Sequence, residues 1–225
     1  KLMNDKVLIQ KEKRKQEIKA LQAQINPHFL YNTLDSIIWM AEGGENKEVV
    51  VMTSSLAKLL RQSISNEEEL VTIQSEISYV KSYLTIQKMR YKDQLNYHID
   101  VDPAIYPFLI VKLTLQPLVE NAIYHGIKYK ESEGNITIKG YQNDNNIFLQ
   151  VIDDGIGMDE ETLRHIFDKK ETDRSSNGIA VENVNRRLRL YYGEEYELKY
   201  ESEMNKGTTV TIILPKKEGG NQDGE

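Results

Sequence analysis

A histidine placed directly after a proline is the first candidate for chemistry in this sequence. Residues 24–32 read QINPHFLYN within a segment of helical composition, and His28 is one of four histidines. A proline inside a helix removes one backbone hydrogen bond, so we expect a kink at Pro27 that presents His28 to solvent. A neutral imidazole nitrogen is a nucleophile near pH 7 and can carry a covalent intermediate. His28 is therefore a candidate nucleophile, against the ordinary alternative of a helix histidine without chemistry.

Two further clusters of polar residues and glycines lie far downstream. Residues 120–126 read ENAIYHG, and residues 153–157 read DDGIG. Asp153 is expected to end a strand, and the glycines after it would let the backbone approach a ligand closely. Alone, such a run also fits a plain turn at the end of a strand.

The three motifs in this order resemble those of LytS/YesM-type sensor histidine kinases, and the resemblance covers residues 18–214. In that family the Pro-His-Phe-Leu-Tyr-Asn box carries the phosphorylated histidine. The other two boxes build the ATP site of the GHKL, or Bergerat, fold. The resemblance implies an ATP-dependent protein-histidine kinase with ATP and Mg²⁺ as cofactors. It would transfer the γ-phosphate to His28 and then to an aspartate of a response regulator receiver domain.

The resemblance also implies roles for residues of the two later boxes. Asp153 would accept a hydrogen bond from the adenine amino group, and Gly155 and Gly157 would lie against the nucleotide. Asn121 would ligate Mg²⁺, because a neutral amide oxygen suits a hard cation that is already bound to phosphates. Glu120 would orient a magnesium-bound water or act as a base, or else belong to a solvated helix face.

Two positions near these boxes differ from the wider pattern of histidine kinases. Many members carry a lysine three residues after the Asn-box asparagine, where this chain has Tyr124. Lys128 is the substitute expected to bind nucleotide, although a surface lysine is the default. By the same resemblance His125 would face the phosphates, and a structural histidine is the commoner alternative.

The later glycine box is also altered. Members often read Gly-x-Gly-x-Gly-Leu, whereas residues 176–181 read SNGIAV and keep only Gly178. Gly178 would still open a helix whose N–H groups can point at phosphate. The polar residues 168–177 are expected to form a mobile lid, from which Arg174 could reach a phosphate.

The residue that would activate the nucleophile is not evident. Many histidine kinases have Asp or Glu directly after the histidine, whereas this chain has Phe29. Asn32 lies four residues on, on the same helix face, and can form a hydrogen bond but cannot take a proton. The general base is therefore unassigned.

Composition limits the classes of protein to consider. The 225 residues carry a net charge of −6, which disfavours nucleic-acid binding, and they include no cysteine. No apolar run approaches the roughly 18 residues of a membrane span, and no signal peptide or initiator Met is present. We expect the cytoplasmic portion of a cell-membrane protein, whose sensor and transmembrane part would precede Lys1.

The first part of the chain predicts a dimer. Residues 1–68 are expected to form a signalling helix and a histidine-bearing helical hairpin. A lone hairpin leaves its apolar stripes exposed, so two hairpins should pair into a four-helix bundle of a homodimer. The side chains expected in the shared core are Ile25, Leu34, Ile37, Met52, Leu56 and Leu59.

The rest of the chain predicts an α+β fold, a GHKL α/β sandwich with a mixed, mostly antiparallel sheet over residues 69–217. Thr72 and Thr114 are expected to cap helices, with Glu76 near the positive end of the first. Alternating residues predict strands at 95–101, 136–141, 147–152, 196–200 and 208–214. Helices are expected at 160–167 and 179–192, and residues 218–225 read as a disordered tail.

Two other functions stay open. A GHKL ATPase of the gyrase or MutL type would place a glutamate base four residues before the asparagine, where this chain has Pro117. A non-catalytic scaffold that binds nucleotide and dimerises would tolerate the altered glycine box and the missing acidic neighbour of His28.

Overall fold

The computed structural model describes residues 27–64, 69–166 and 176–216. Several sequence predictions lie outside these residues: the helix before Pro27 with its kink and Ile25, the lid segment 168–175 with Arg174, and the tail at 218–225.

The described chain begins with two helices joined by a short turn. Helix α1 spans Pro27–Glu42 and helix α2 spans Asn46–Ile64. Gly44 has a φ of 75°, a left-handed conformation that favours glycine and allows the tight turn between the two helices. The two helices pack against each other and form the expected hairpin.

A third helix lies between the hairpin and the rest of the fold. Helix α3 spans Ile73–Tyr91, and the Thr72 hydroxyl accepts from the Ser75 N–H at 3.2 Å, which confirms the predicted N-cap. Strand β1 (Leu70–Thr72) precedes α3 and pairs antiparallel with β3 (Leu109–Val111). The sequence did not predict this small sheet.

The main sheet has five strands in the order β2-β4-β5-β7-β6. Strands β2 and β4 are parallel, and the other neighbours are antiparallel, which confirms a mixed, mostly antiparallel sheet. The strand bounds are β2 Leu95–Val101, β4 Gly134–Gln142, β5 Asn146–Asp153, β6 Lys199–Glu203 and β7 Gly207–Pro215. Strand β6 thus begins three residues later than the sequence pattern predicted.

Helices cover one face of this sheet. Inward residues alternate along β4 and β5, with Ile136, Ile138, Leu149 and Val151 buried against the helices. The remaining helices are α4 (Leu115–Asn121), α5 (Glu160–Arg164) and α6 (Ser176–Tyr192). Helix α6 begins three residues before the predicted start, so Ser176 and Asn177 are helical rather than part of a loop.

One prediction about the helices was wrong and another was confirmed. Thr114 does not cap α4 with its side chain; its hydroxyl donates to the Val111 carbonyl at 2.6 Å. Glu76 lies in the first turn of α3, as predicted, but it is 2% exposed and also accepts from the Leu115 N–H of the next helix. A carboxylate from another helix therefore takes the place of the predicted cap.

The expected shared core of a dimer is partly occupied within one chain. Met52, Leu56 and Leu59 are buried because α2 packs along α3, so they do not await a second chain. Leu34 is 48% exposed and Ile37 is half-buried. The exposed apolar side chains of the hairpin are Tyr31, Leu34, Ile38, Trp39, Val50 and Val51. Within the described ranges, every helix is too short or too polar to span a bilayer.

Candidate active site

A cleft opens where β5 and β7 face α4 and the turn that follows it. It encloses about 380 Å³, part of which is open to solvent. The lining residues are Leu118, Asn121, Ala122, His125, Gly126, Val151, Asp153, Gly157, Met158, Thr208 and Val210. The cleft therefore brings together four of the predicted site residues: Asn121, His125, Asp153 and Gly157.

Asp153 is the buried acceptor of this cleft. It ends β5, is 6% exposed, and accepts from the Gly155 N–H at 2.9 Å. Burial raises the pKa of Asp153 from 3.8 to about 6, against the opposing effect of hydrogen bonds from the backbone of Gly155 and Thr208. At neutral pH the group is therefore mostly a carboxylate, available to accept a hydrogen bond from a ligand.

Its neighbour Asp154 has the opposite character. It accepts from the backbone N–H and the side-chain amide of Asn135, each at 2.7 Å, and pairs with Lys130 at 2.9 Å. Partial burial alone would raise the pKa of Asp154, but the bonds from Asn135 and Lys130 outweigh it and lower the pKa. Asp154 thus serves the junction of β4 and β5 rather than the cleft.

The two glycines after Asp153 are required by close backbone contacts. A Cβ on Gly155 would lie 2.4 Å from the backbone of Gly126, so a side chain there would push apart the two walls of the site. Gly157 has a φ of 64°, and a Cβ there would lie 2.0 Å from the Glu203 carbonyl oxygen. These contacts are the physical reason for glycines at both positions.

The segment after Asn121 continues as a π-helical turn over Ala122–Ile127. The Lys128 N–H donates to the carbonyl of Ile123 at 2.9 Å, five residues back. The Ile156 N–H donates to Gly126 at 3.2 Å, which ties the turn to the loop after β5. Single π turns occur often at functional sites, and this one places His125 and Gly126 in the cleft wall. The sequence predicted a helix that begins near Thr114 but did not predict this turn.

Asn121 and His125 are the polar side chains contributed by this wall. Burial lowers the pKa of His125, and the nearby Lys128 lowers it further. The imidazole is therefore neutral at pH 7 and can both donate and accept a hydrogen bond. In the part of the chain that the structure describes, no three His, Asp or Glu side chains converge on a metal site. A cation bound here would take Asn121 together with oxygens of its ligand, which fits Mg²⁺ on phosphates.

Three other predicted residues lie outside the cleft lining. The carboxylate of Glu120 accepts from the Gln116 side chain at 2.6 Å, and burial raises the pKa of Glu120. Burial raises the pKa of Tyr83 on α3, and the charge of Glu120 raises it further, so Glu120 lies near Tyr83. The Lys128 ammonium lies 5.9 Å from the centre of the Tyr129 ring. Gly155 acts through its backbone contacts, as described above.

The His28 box is built differently. His28 is exposed in the first turn of α1, and the Asn32 amide nitrogen lies 3.2 Å from Nδ1 and 3.1 Å from Nε2 of its ring. Phe29 is buried, with its ring centre 5.0 Å from that of Tyr83. Thr33 is buried and donates to the Phe29 carbonyl at 2.7 Å. One face of the first turn therefore anchors the helix on α3 and the other presents the histidine.

Sequence reasoning missed part of the cleft. Met158, Thr208 and Val210 line it, and none was proposed. The inward phase of β7 could have indicated Val210, because it faces the same side of the sheet as Ile212 and Leu214. Thr208 could have been found from the pairing of β5 and β7, since it lies opposite Asp153.

Two protein-family models match the chain. Residues 16–95 match a family described as "Histidine kinase". Residues 110–218 match the family "Histidine kinase-, DNA gyrase B-, and HSP90-like ATPase". The first match covers the hairpin with His28 and α3, and the second covers the cleft and most of the main sheet.

Curated relatives support the same grouping. The chain is 40% identical over 214 residues to "Sensor histidine kinase YesM" of Bacillus subtilis (strain 168), covering 95% of this chain and 36% of that protein. It is 36% identical over 204 residues to "Sensor protein LytS" of Oceanobacillus iheyensis, covering 88% and 34%. The chain thus spans about a third of the length of these relatives.

A solved structure shares the fold. The catalytic domain of histidine kinase ThkA aligns with a TM-score of 0.51 at 16% sequence identity, covering 67% of this chain and 96% of that one. At this identity the likeness concerns the fold alone.

Proposed function

The chain belongs to the sensor histidine kinase family of two-component systems, and on that basis we propose that it transfers the γ-phosphate of ATP to His28. The phosphoryl group would then pass to an aspartate of a response regulator receiver domain. Two observations carry this proposal. His28 is exposed on a helix whose opposite face is buried, and a separate cleft surrounds the buried carboxylate of Asp153. A protein that binds nucleotide and receives phosphate on a histidine would use both.

The cleft suits the adenine and phosphate ends of one nucleotide. Asp153 would accept a hydrogen bond from the adenine amino group, with the backbone at Gly155 and Gly157 against the ring. Asn121 would hold Mg²⁺, which when bound neutralises charge on the phosphates. His125 would donate to a phosphate oxygen from the π turn.

The first turn of α6 would contribute to the phosphate end. Gly178 lies within this turn, and free N–H groups at the start of a 17-residue helix favour an anion. Arg174 precedes the helix and would add a positive charge. Glu120 and Lys128 would influence the site from outside the cleft lining. Glu120 would do so through its hydrogen bond with Gln116 on α4. Lys128 would help burial to keep His125 neutral, because its charge also lowers the pKa of His125.

At His28 the transfer needs one nitrogen with a free electron pair. That pair would form the bond to the γ-phosphorus while the bond from phosphorus to the bridging oxygen breaks, and ADP would leave with those electrons. The ring would then release a proton to water. Turned about its Cβ–Cγ bond, the Asn32 amide can accept the N–H of one ring nitrogen and so leave the electron pair on the other. Asn32 would therefore select the tautomer in place of an acidic neighbour.

Membership of this family supports a proposal for assembly and location. We propose a homodimer that forms through the exposed apolar face of the hairpin around Leu34, Ile38 and Trp39. The chain would form the cytoplasmic portion of a membrane sensor, with the receiver domain approaching His28 from solvent.

Incubation with γ-labelled ATP and Mg²⁺ tests the transfer. We expect label on the protein that is stable to alkali and lost in acid, as a phosphohistidine is. His28→Ala should abolish it while nucleotide binding persists. His98→Ala, on β2 and outside the cleft lining, should serve as the matched histidine control that keeps label on His28. Label that persists in His28→Ala would contradict the assignment, and binding without labelling in the unaltered chain would favour a scaffold.

A further inference from the structure

The turn between β3 and α4 has an unusual backbone. Leu113 has a φ of 58°, in the left-handed region that residues with a side chain rarely adopt. A turn of this kind persists only where its surroundings hold it, and such turns concentrate at functional sites. Helix α4 starts two residues after Leu113 and ends at Asn121, so the groups that hold the Leu113 turn also bear on the position of α4.

Glu76 of α3 holds the N–H groups of the turn. One carboxylate oxygen accepts from the Leu113 N–H at 3.0 Å, and the other accepts from the Leu115 N–H at 2.9 Å. Both bonds are shielded from water, because Glu76 is 2% exposed. Burial raises the pKa of Glu76, and these two backbone bonds and the charge of Arg187 oppose that rise. The carboxylate therefore fixes the position at which α4 begins.

Arg187 of α6 holds the carbonyl groups of the same turn. One guanidinium nitrogen donates to the Leu113 carbonyl at 3.3 Å, and another donates to the Lys112 carbonyl. Arg187 is 3% exposed, and burial lowers its pKa to about 10, so it remains a cation at neutral pH. Two buried groups of opposite charge thus form hydrogen bonds with opposite sides of one turn.

The turn is where three functional parts of the molecule meet. Helix α3, which carries Glu76, also supports the histidine hairpin through the contact of Tyr83 with Phe29. Helix α4 leads into the cleft. Helix α6, which carries Arg187, begins with the turn that contains Gly178.

Simple stabilisation does not account for this arrangement. Two buried opposite charges are a weak source of stability, and apolar side chains of similar size often replace them without loss. What apolar side chains cannot do is bind two N–H groups and two carbonyl groups and so fix their directions. The pair is therefore suited to positioning.

We propose that Glu76 and Arg187 form a clasp on the Leu113 turn that sets the position of α4 and thereby places Asn121 for binding of Mg²⁺ and nucleotide. Both are positioning residues, since neither lines the cleft. This inference rests on the proposed function of the cleft and adds to it a part of the molecule that the cleft does not contain.

The test compares Glu76→Gln, Arg187→Met and the double variant in the full chain. Each single variant leaves one buried charge without its partner, so we expect a lower Tm and at least about tenfold weaker binding of ATP with Mg²⁺. The double variant removes both charges and should regain most of the Tm. Its affinity for ATP with Mg²⁺ should stay about tenfold weaker, because the turn has lost its ligands.

A second measurement separates the two ends of the cleft. Adenosine lacks the phosphates that would bring Mg²⁺ to Asn121, and Asp153 lies on β5, which the clasp does not touch. Affinity for adenosine should therefore change less than about threefold in the double variant. Arg189→Met is the matched control, since Arg189 lies on the same helix and pairs with Glu197 away from the turn. It should leave both affinities unchanged.

Conservative variants cover the case in which Glu76→Gln or Arg187→Met does not fold. Arg187→Lys keeps the charge but loses the planar fork that reaches both carbonyls, so it should keep more of the Tm than Arg187→Met while Mg²⁺-ATP affinity still falls more than about threefold. Glu76→Asp is one methylene short of reaching both N–H groups and should show the same selective loss as the double variant.

The possible results are distinct. A double variant that regains affinity for Mg²⁺-ATP together with its Tm would overturn the clasp, as would an equal loss for adenosine. If the unaltered chain binds no Mg²⁺-ATP, the proposed function itself fails and the clasp fails with it.

Discussion

The histidine hairpin and the cleft differ in how tightly their reacting groups are enclosed. His28 is exposed in a first helical turn, and only the opposite face of that turn, at Phe29 and Thr33, is buried. Asp153 is 6% exposed, and a Cβ added to the neighbouring Gly126 would clash with its carboxylate. A group that must meet two partners in succession needs access, whereas a group that orients one ligand needs a fixed position. The two regions divide these requirements between them.

Adding one methyl group in each region should give the largest contrast. In Gly155→Ala the new Cβ would lie 2.4 Å from the Gly126 backbone, so we expect a loss of about 3 kcal/mol in the free energy of unfolding and no nucleotide binding. In Gly43→Ala, at the end of α1, the Cβ would meet the Trp39 carbonyl oxygen at 3.4 Å and should change stability little. Chemical denaturation measures both, and equal effects would contradict the contrast.

Asp153→Asn should separate binding from stability. Loss of the charged acceptor should weaken ATP binding by about 1.5–3 kcal/mol, measured by calorimetry. The pKa of Asp153 is about 6 in the folded chain and 3.8 when exposed, so the folded form binds more protons within that interval. Protonated Asp153 therefore makes its full contribution to the free energy of unfolding below pH 3.8, and this contribution is lost as the pH rises to about 6.

At pH 7 the asparagine variant, which mimics the neutral acid, should be more stable than the original by about 1–3 kcal/mol. Asp154→Asn is the neighbouring control. Because the pKa of Asp154 is lowered, that variant should lose stability, by under about 1 kcal/mol for a partly exposed pair. A stability loss in Asp153→Asn would show that the carboxylate serves the fold rather than a ligand.

The same carboxylate should make nucleotide affinity depend on pH. As pH falls from 7 to 5, Asp153 takes up a proton and its acceptor charge is lost, so ATP affinity should fall about tenfold. Asp153→Asn should remove this dependence. Titrations in the two proteins over this range decide it, and a pH dependence unchanged in Asp153→Asn would assign the effect to another group.

The smallest expected effect concerns Asn32 in the open region. Asn32→Ala removes the amide beside both ring nitrogens of His28, so the labelling rate should fall about tenfold or less. Stability and ATP affinity should not change, because Asn32 is not part of the buried face. Asn32→Asp is the matched variant: it can accept the ring N–H and should retain the rate. A loss of ATP affinity in Asn32→Ala would show that the two regions are not independent.

Much of this arrangement could be predicted from local patterns. Alternating residues located β4 and β5 within two residues at each end, and Thr72 marked the start of α3, because these signals depend only on near neighbours. The hairpin core was assigned to the wrong partner. Met52, Leu56 and Leu59 showed that α2 has an apolar face, but not that α3 of the same chain covers it.

What the sequence did not reveal depends on contacts across long separations. The β1–β3 pair joins Leu70 to Val111, and strands of three residues carry no periodic signal. Glu76 lies in the first turn of its own helix, as predicted, but its hydrogen bond with Leu115, 39 positions along the chain, was not foreseen. In each case the missing information was a distant partner, which a rule about near neighbours does not contain.

The π turn at Ala122–Ile127 has a consequence for how such a site can arise or be lost. A π turn holds one residue more than the α turn it interrupts. Deleting that residue would restore a continuous α-helix, and every later position would rotate by about 100°. His125 and Gly126 would then leave the cleft wall although no side chain had been substituted. In evolutionary terms, this wall of the cleft can be gained or lost by inserting or deleting one codon.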